Sequence, residues 1–301
     1  MKFMKNRHFF FLLISGFLFF TNSIQAQDDL MDLLESEEST DENEVTKSVF
    51  KSTRLILGHT TKMRHKKELE LLISHRFGRV NSGSHELWGL DNSSVRIGLE
   101  YGISDKLGIG IGRSSFDKSF DTFAKYKLIS QSSGKNSSPI SLVLLSSMAI
   151  RTVPKKEDDP SYDLFKERLA FTYQAVFSRK FNDKFSLLLS PTFLLRNRPV
   201  DLTDEDKLFA IGIGGRYMVS KSVSINLETF QRLNEEENST ELNAVSLGVD
   251  IETGGHVFQL HLTNSQMTFE RAFIAETSDD FFDGDIHFGF NISRTFSLGK
   301  K

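Results

Sequence analysis

Residues Asp285–Leu298 read DIHFGFNISRTFSL. Ile286, Phe288, Phe290, Ile292, Phe296 and Leu298 share one parity; Asp285, His287, Gly289, Asn291, Ser293, Thr295 and Ser297 share the other, and Arg294 is the single break. Successive side chains of a β-strand point to opposite faces, so this stretch is a strand with one apolar side. The pattern recurs upstream. Val95, Ile97, Leu99, Tyr101 and Ile103 alternate with Ser94, Arg96, Gly98, Glu100 and Gly102; Leu169, Phe171, Tyr173, Ala175 and Phe177 alternate with polar or small residues, with Val176 out of step. Val245, Leu247, Val249 and Ile251 alternate with Ser246, Gly248, Asp250 and Glu252. No stretch after residue 45 sustains a helical period.

Twelve strands follow from this reading: 66–77, 93–103, 106–114, 119–129, 139–151, 165–180, 184–196, 206–218, 222–232, 243–253, 256–263 and 285–298. Their connections alternate in length. Tight turns at Ser104-Asp105, Asn182-Asp183, Ser220-Lys221 and Gly254-Gly255 follow even-numbered strands, and long polar connections at 78–92, 152–164, 197–205, 233–242 and 264–284 follow odd-numbered ones. The region after the third and fourth strands breaks the rule, with a short connection at 115–118 and a longer one at 130–138. Short periplasmic turns, longer external loops and an even strand number are the form of outer-membrane barrels. The fold expected is all-β, a single antiparallel transmembrane β-barrel of about 12 strands, with 10 or 14 as alternatives.

Alternation alone does not say which face meets lipid. Export and loop asymmetry favour a membrane barrel over a soluble sandwich. So does the polar face, where Gly108, Gly110, Gly112, Ala210, Gly212 and Gly214 stand opposite Ile and Phe. Glycine weakens a solvent-facing strand for no gain, whereas in a crowded lumen it leaves room for long charged side chains from across the barrel. On this topology Arg294 belongs near a membrane boundary, because mid-depth on the lipid face an arginine costs about 2–4 kcal/mol.

The N-terminus adds export. Lys2, Lys5 and Arg7 precede an apolar run from Phe9 to Phe20, and Thr21–Ala26 forms a polar exit. The run is short of the about 20 residues a spanning helix needs, so residues 1–26 read as a signal peptide. Residues 27–47 form an acidic leader with nine Asp or Glu between 28 and 44, a solvated segment or a docking peptide for a periplasmic partner. Residues 48–65 read as a segment packing at or in the barrel, and 66–298 as the barrel itself. The net charge of −3 gives no basic face for nucleic acid. The chain has no cysteine, which removes disulfides, thiolate metal sites and a cysteine nucleophile.

Two constellations follow from parity. Glu70, Arg76, Arg96, Glu100, Arg168, Arg216, Glu228, Asp250 and Glu252 fall on the lumen side as a mixed-sign network, more suited to plugging or narrowing a pore than to a one-sign filter. His261, Asp285 and His287 lie at the outer ends of the last two strands, also with lumen parity, where they can bind a transition metal, form a pH-sensitive gate or make an ordinary hydrogen-bonded cluster. No cofactor is implied. No spacing assembles nucleophile, base and orienter, so an outer-membrane hydrolase is the distant alternative.

The stretches LLISHRFGR (71–79), GLEYGI (98–103), IETGGHVFQLH (251–261) and GDIHFGFNISR (284–294) together resemble an uncharacterised Bacteroidota outer-membrane β-barrel family, domain of unknown function 5777. The resemblance covers residues 45 to 298 and implies location and fold, without an assigned activity or catalytic residue. The last strand also resembles the signal read by the barrel-insertion machinery, except that five residues follow Phe296. The function expected is an outer-membrane barrel of unknown specific role: a narrow channel or uptake component for small solutes, or a non-conducting structural or partner-binding barrel.

Overall fold

The computed structural model describes residues 44–47, 49–153, 165–197, 206–234 and 240–299. The expected signal peptide and nearly all of the acidic leader lie outside the described residues. Twelve strands close into one antiparallel barrel: β1 (Glu68–Arg79), β2 (Ser93–Gly102), β3 (Leu107–Ser114), β4 (Phe120–Ile129), β5 (Ser141–Ile150), β6 (Leu169–Lys180), β7 (Phe185–Arg196), β8 (Lys207–Met218), β9 (Val223–Arg232), β10 (Ala244–Thr253), β11 (His256–Thr263) and β12 (His287–Ser297). Strand β12 pairs with β1 and leaves no edge. The largest departure from the expected bounds is at β6, which starts at Leu169 because Phe165–Arg168 winds as a 3-10 turn.

The apolar face points outward. Ile97, Ile111 and Leu227 are 55%, 54% and 57% exposed, while their chain neighbours Arg96 and Glu228 are 2% and 1% exposed. A soluble sandwich buries the opposite face; this inversion suits a lipid solvent. Arg294 pairs across the sheet with His256, the first residue after the Gly254-Gly255 turn, so it sits at the tight-turn rim, with its guanidinium 4.9 Å from the Phe296 ring centre.

Among the described residues two segments fill the lumen. From the tight-turn end, residues 49–65 fold inward as a hairpin. Leu55 N–H donates to Gly58 O at 2.9 Å, Thr60 N–H donates to Thr53 O at 2.9 Å, and Arg54 and His59 bridge its two arms. The chain arrives there through a short ladder of Glu44–Val45 on Ser132–Ser133. That ladder uses the β4–β5 connection, which accounts for its unexpected length.

From the long-loop end, the β11–β12 connection also turns inward. It carries helix α1 (Glu270–Ala275), whose six residues are all buried. This corrects the expectation of a polar surface loop there. Phe269, Ala272, Phe273, Ile274 and Ala275 are apolar, and burying such side chains is worth about 1.5–3 kcal/mol for each large one.

The lumen therefore has apolar cores. Ile56, Leu57, Phe230 and Phe273 meet in one, and Phe50, Leu55, Val143, Val176 and Leu188 in another. Val176, the residue out of step in β6, is fully buried against the hairpin. The lumen glycines make room for more than charge. A side chain on Gly112 would meet the Arg96 guanidinium, but one on Gly110 would meet the Phe123 ring, on Gly212 the Phe230 ring, and on Gly214 Leu55.

Candidate functional site

Of the nine lumen charges expected from parity, seven are buried: Glu70, Arg76, Arg96, Glu100, Arg216, Glu228 and Asp250. The other two lie elsewhere. Arg168 is half-buried in the 3-10 turn before β6 and donates to Val153 O at 2.7 Å. Glu252 is half-exposed at the tight-turn rim, paired with Lys51 of the inward segment.

The buried members meet partners that parity counting missed. Arg96 Nε donates to Asp121 at 2.8 Å, and Lys125 lies 3.2 Å from Glu100. Glu70 accepts from Thr53 at 2.6 Å and has Arg64 at 3.7 Å. Asp121 and Lys125 lie in the region where loop parity failed, yet they share a parity with the buried Phe123, which was the available signal.

The hairpin tip is gripped through its main chain. The Glu228 carboxylate accepts from Leu57 N–H at 2.6 Å and from Ile56 and Gly58 N–H at 3.2 Å. Gln259 donates to Leu55 O at 2.8 Å and to Arg54 O at 3.2 Å. Asn291 donates to Ile56 O at 3.0 Å and accepts from Arg76 at 3.0 Å. A hairpin turn leaves donors and acceptors without ladder partners, and buried ones must be satisfied. Here wall side chains satisfy them.

The two inward segments touch at Glu270. Arg54 donates to its carboxylate at 2.5 Å, and His59 Nε2 lies 3.3 Å from the same oxygen. Burial, with Arg54, Lys125 and Arg96 adding positive charge, pushes the His59 pKa well below the usual imidazole value. Beneath the external rim, Arg151 and Arg271 share Glu276 at 2.7 and 2.5 Å, and share Asp117 at 2.8 and 3.3 Å.

The three residues read as a metal cluster are not brought together. His287 places Nε2 2.6 Å from Asp279 and Nδ1 2.9 Å from Phe77 O. Asp285 accepts from Asn81 at 2.8 Å and faces Arg79. His261 lies two residues along the ladder from His287's partner Thr263, against Gly248 and Gly289. Among the described residues no group of three metal-capable side chains converges. The missing element was Asp279, whose position inside the mouth depends on the inward fold of the loop. Burial alone would raise the Asp279 carboxyl, but hydrogen bonds from His287 and Arg79 hold it below the usual carboxylate range. With both ring nitrogens facing acceptors, His287 has none left to activate a serine.

A family model described as "Membrane bound beta barrel domain (DUF5777)" matches residues 50–296. No curated protein matches. Among solved structures, the NanC porin aligns at TM-score 0.46 and 8% identity, over 76% of this chain and 100% of its own. The KdgM porin aligns at 0.44 and 9%, over 76% and 99%. An outer-membrane channel from Pseudomonas putida F1 aligns at 0.46 and 14%, over 78% and 97%.

Proposed function

The chain belongs to this family of membrane-bound β-barrel domains, and from that premise we propose that it is a channel closed at rest, through which a small solute passes only when the hairpin or the loop moves. Its place is the outer membrane, and lipid is its surrounding solvent. An eight-stranded wall is narrow enough for its own side chains to fill, and lumen width grows with strand number. Twelve strands therefore leave an interior that something else must fill or leave open.

The observation that carries this reading is how fully the interior is filled. Residues 52–61 of the hairpin are all buried. The space left between Arg54, Glu70, Arg96 and Phe123 is about 10 Å³, at the lower limit for one water. The second reading is a permanently closed structural or partner-binding barrel, favoured by the apolar cores that join hairpin to wall. In either case the last strand would serve the barrel-insertion machinery, and the acidic leader would take a periplasmic partner. Hydrolysis forms no part of the proposal.

Planar-bilayer recording separates the two readings. The full chain should be silent, and the Glu228→Ala, Glu270→Ala double variant should give stepwise currents. Silence in a folded double variant would favour the structural barrel.

A further inference from the structure

A cavity of about 490 Å³ opens at the long-loop end, above the filled lumen. That volume lies within the about 300–1,000 Å³ typical of small-molecule sites. The end of β1, the start of β2, the β3–β4 connection and the inward loop build its wall.

The lining carries polar groups with capacity to spare. Asn92 spends its main chain on Gly89 O and Gly78 N–H, and its side-chain amide has no partner among the described residues. Gln266 gives its amide N–H to Phe77 O at 3.1 Å and keeps its carbonyl oxygen. The hydroxyls of Ser93 and Ser278 also line the space. Carboxamides and hydroxyls both donate and accept, the capacity needed to bind a solute whose own groups are hydroxyls.

The charges there are already matched. Asp279 pairs with Arg79 and His287, and Arg79 also faces Asp285 at 3.6 Å. Among the described residues of the lining no cation is left over to hold an anion, so an acidic ligand gains little. Phe116 and Met267 give the cavity an apolar side, suited to the C–H face of a sugar ring.

We infer that this cavity is a binding site for a neutral saccharide of one or two rings. The site lies outside the filled lumen and can be occupied in the closed barrel, so it stands whether or not the barrel conducts.

Calorimetric titration of the full chain, in an amine-oxide detergent free of sugar headgroups, tests it with maltose, diacetylchitobiose and digalacturonate. At least one neutral disaccharide should bind about tenfold or more tightly than digalacturonate. The Asn92→Ala, Gln266→Ala double variant should lose about tenfold. Ser278→Trp fills the cavity from an exposed loop position, removes none of the bonds above, and should abolish binding. Asp105→Asn, at the opposite rim, should bind as the unmodified protein does. Three results would overturn the inference: neither neutral probe binding at about millimolar concentration, digalacturonate binding more tightly, or Ser278→Trp binding unchanged.

Discussion

The hairpin at residues 49–65 and the loop at 264–286 both fill the lumen, but they are held by different chemistry. The wall holds the hairpin tip by its main chain, through Glu228, Gln259 and Asn291. The loop is held by its own side chains: Glu276 between two arginines, and Phe269 and Phe273 in apolar cores. A main-chain grip depends on a few fixed wall groups, and in the hairpin it is added to the packing of Phe50, Leu55, Ile56 and Leu57 in the apolar cores. A side-chain grip depends on the loop's own sequence. The hairpin tip is held by its main chain as well as its side chains, and the loop through its own side chains.

The sharpest way to break this comparison is Glu228→Ala. It leaves three buried N–H donors at Ile56, Leu57 and Gly58 without an acceptor, at about 1–3 kcal/mol each, on the order of 4 kcal/mol together. Hydrogen exchange should show residues 53–61 losing protection while α1 keeps its own. Glu228→Gln retains an acceptor oxygen and should cost less. Equal loosening of both segments would mean that they form one unit.

Glu270→Ala comes next, because this carboxylate joins the segments. Removing it leaves Arg54 buried without its partner, and breaking such a pair costs about 3 kcal/mol. A double-mutant cycle with Arg54→Ala should give a coupling of about 0.5–3 kcal/mol from thermal unfolding. A coupling near zero would show that the segments are neighbours without being linked.

The contrast also marks how far the sequence could be read. Period-two alternation needs only the strand's geometry, so all twelve strands were visible, including the weakly patterned pair around Asp121 and Lys125. Glu228 and Arg76, given lumen parity by the same pattern, are buried. Arg168 escaped it because parity fails where the chain winds into a 3-10 turn. The inward loop was hidden because a six-residue helix is too short to show a period. Its acidic and serine residues also gave it the look of an ordinary surface connection. Val176, like Phe123 and Phe230 on the same buried parity of their strands, was a visible trace of what lies inside. An apolar residue on the polar parity signals a lumen that is packed with apolar groups, here by the hairpin.

Acid gives the smallest effect and separates the segments most cleanly. His59, facing Arg54, Glu270, Lys125 and Arg96, has a folded pKa well below 6.5. Below pH 6.5 the unfolded state takes up a proton that the folded state refuses. The stability this group provides is therefore complete above that value and falls as the pH drops, by at most about 1.4 kcal/mol per pH unit. Asp279 in the loop has a folded pKa below 3.8, so its contribution is intact until the pH falls past that value. Between pH 6 and 4, hydrogen exchange at residues 55–61 should rise while exchange across 270–279 stays level, and His59→Asn should flatten the hairpin's response. Earlier loosening of the loop would place the acid-sensitive contact at Asp279 and His287, and the two segments would exchange roles.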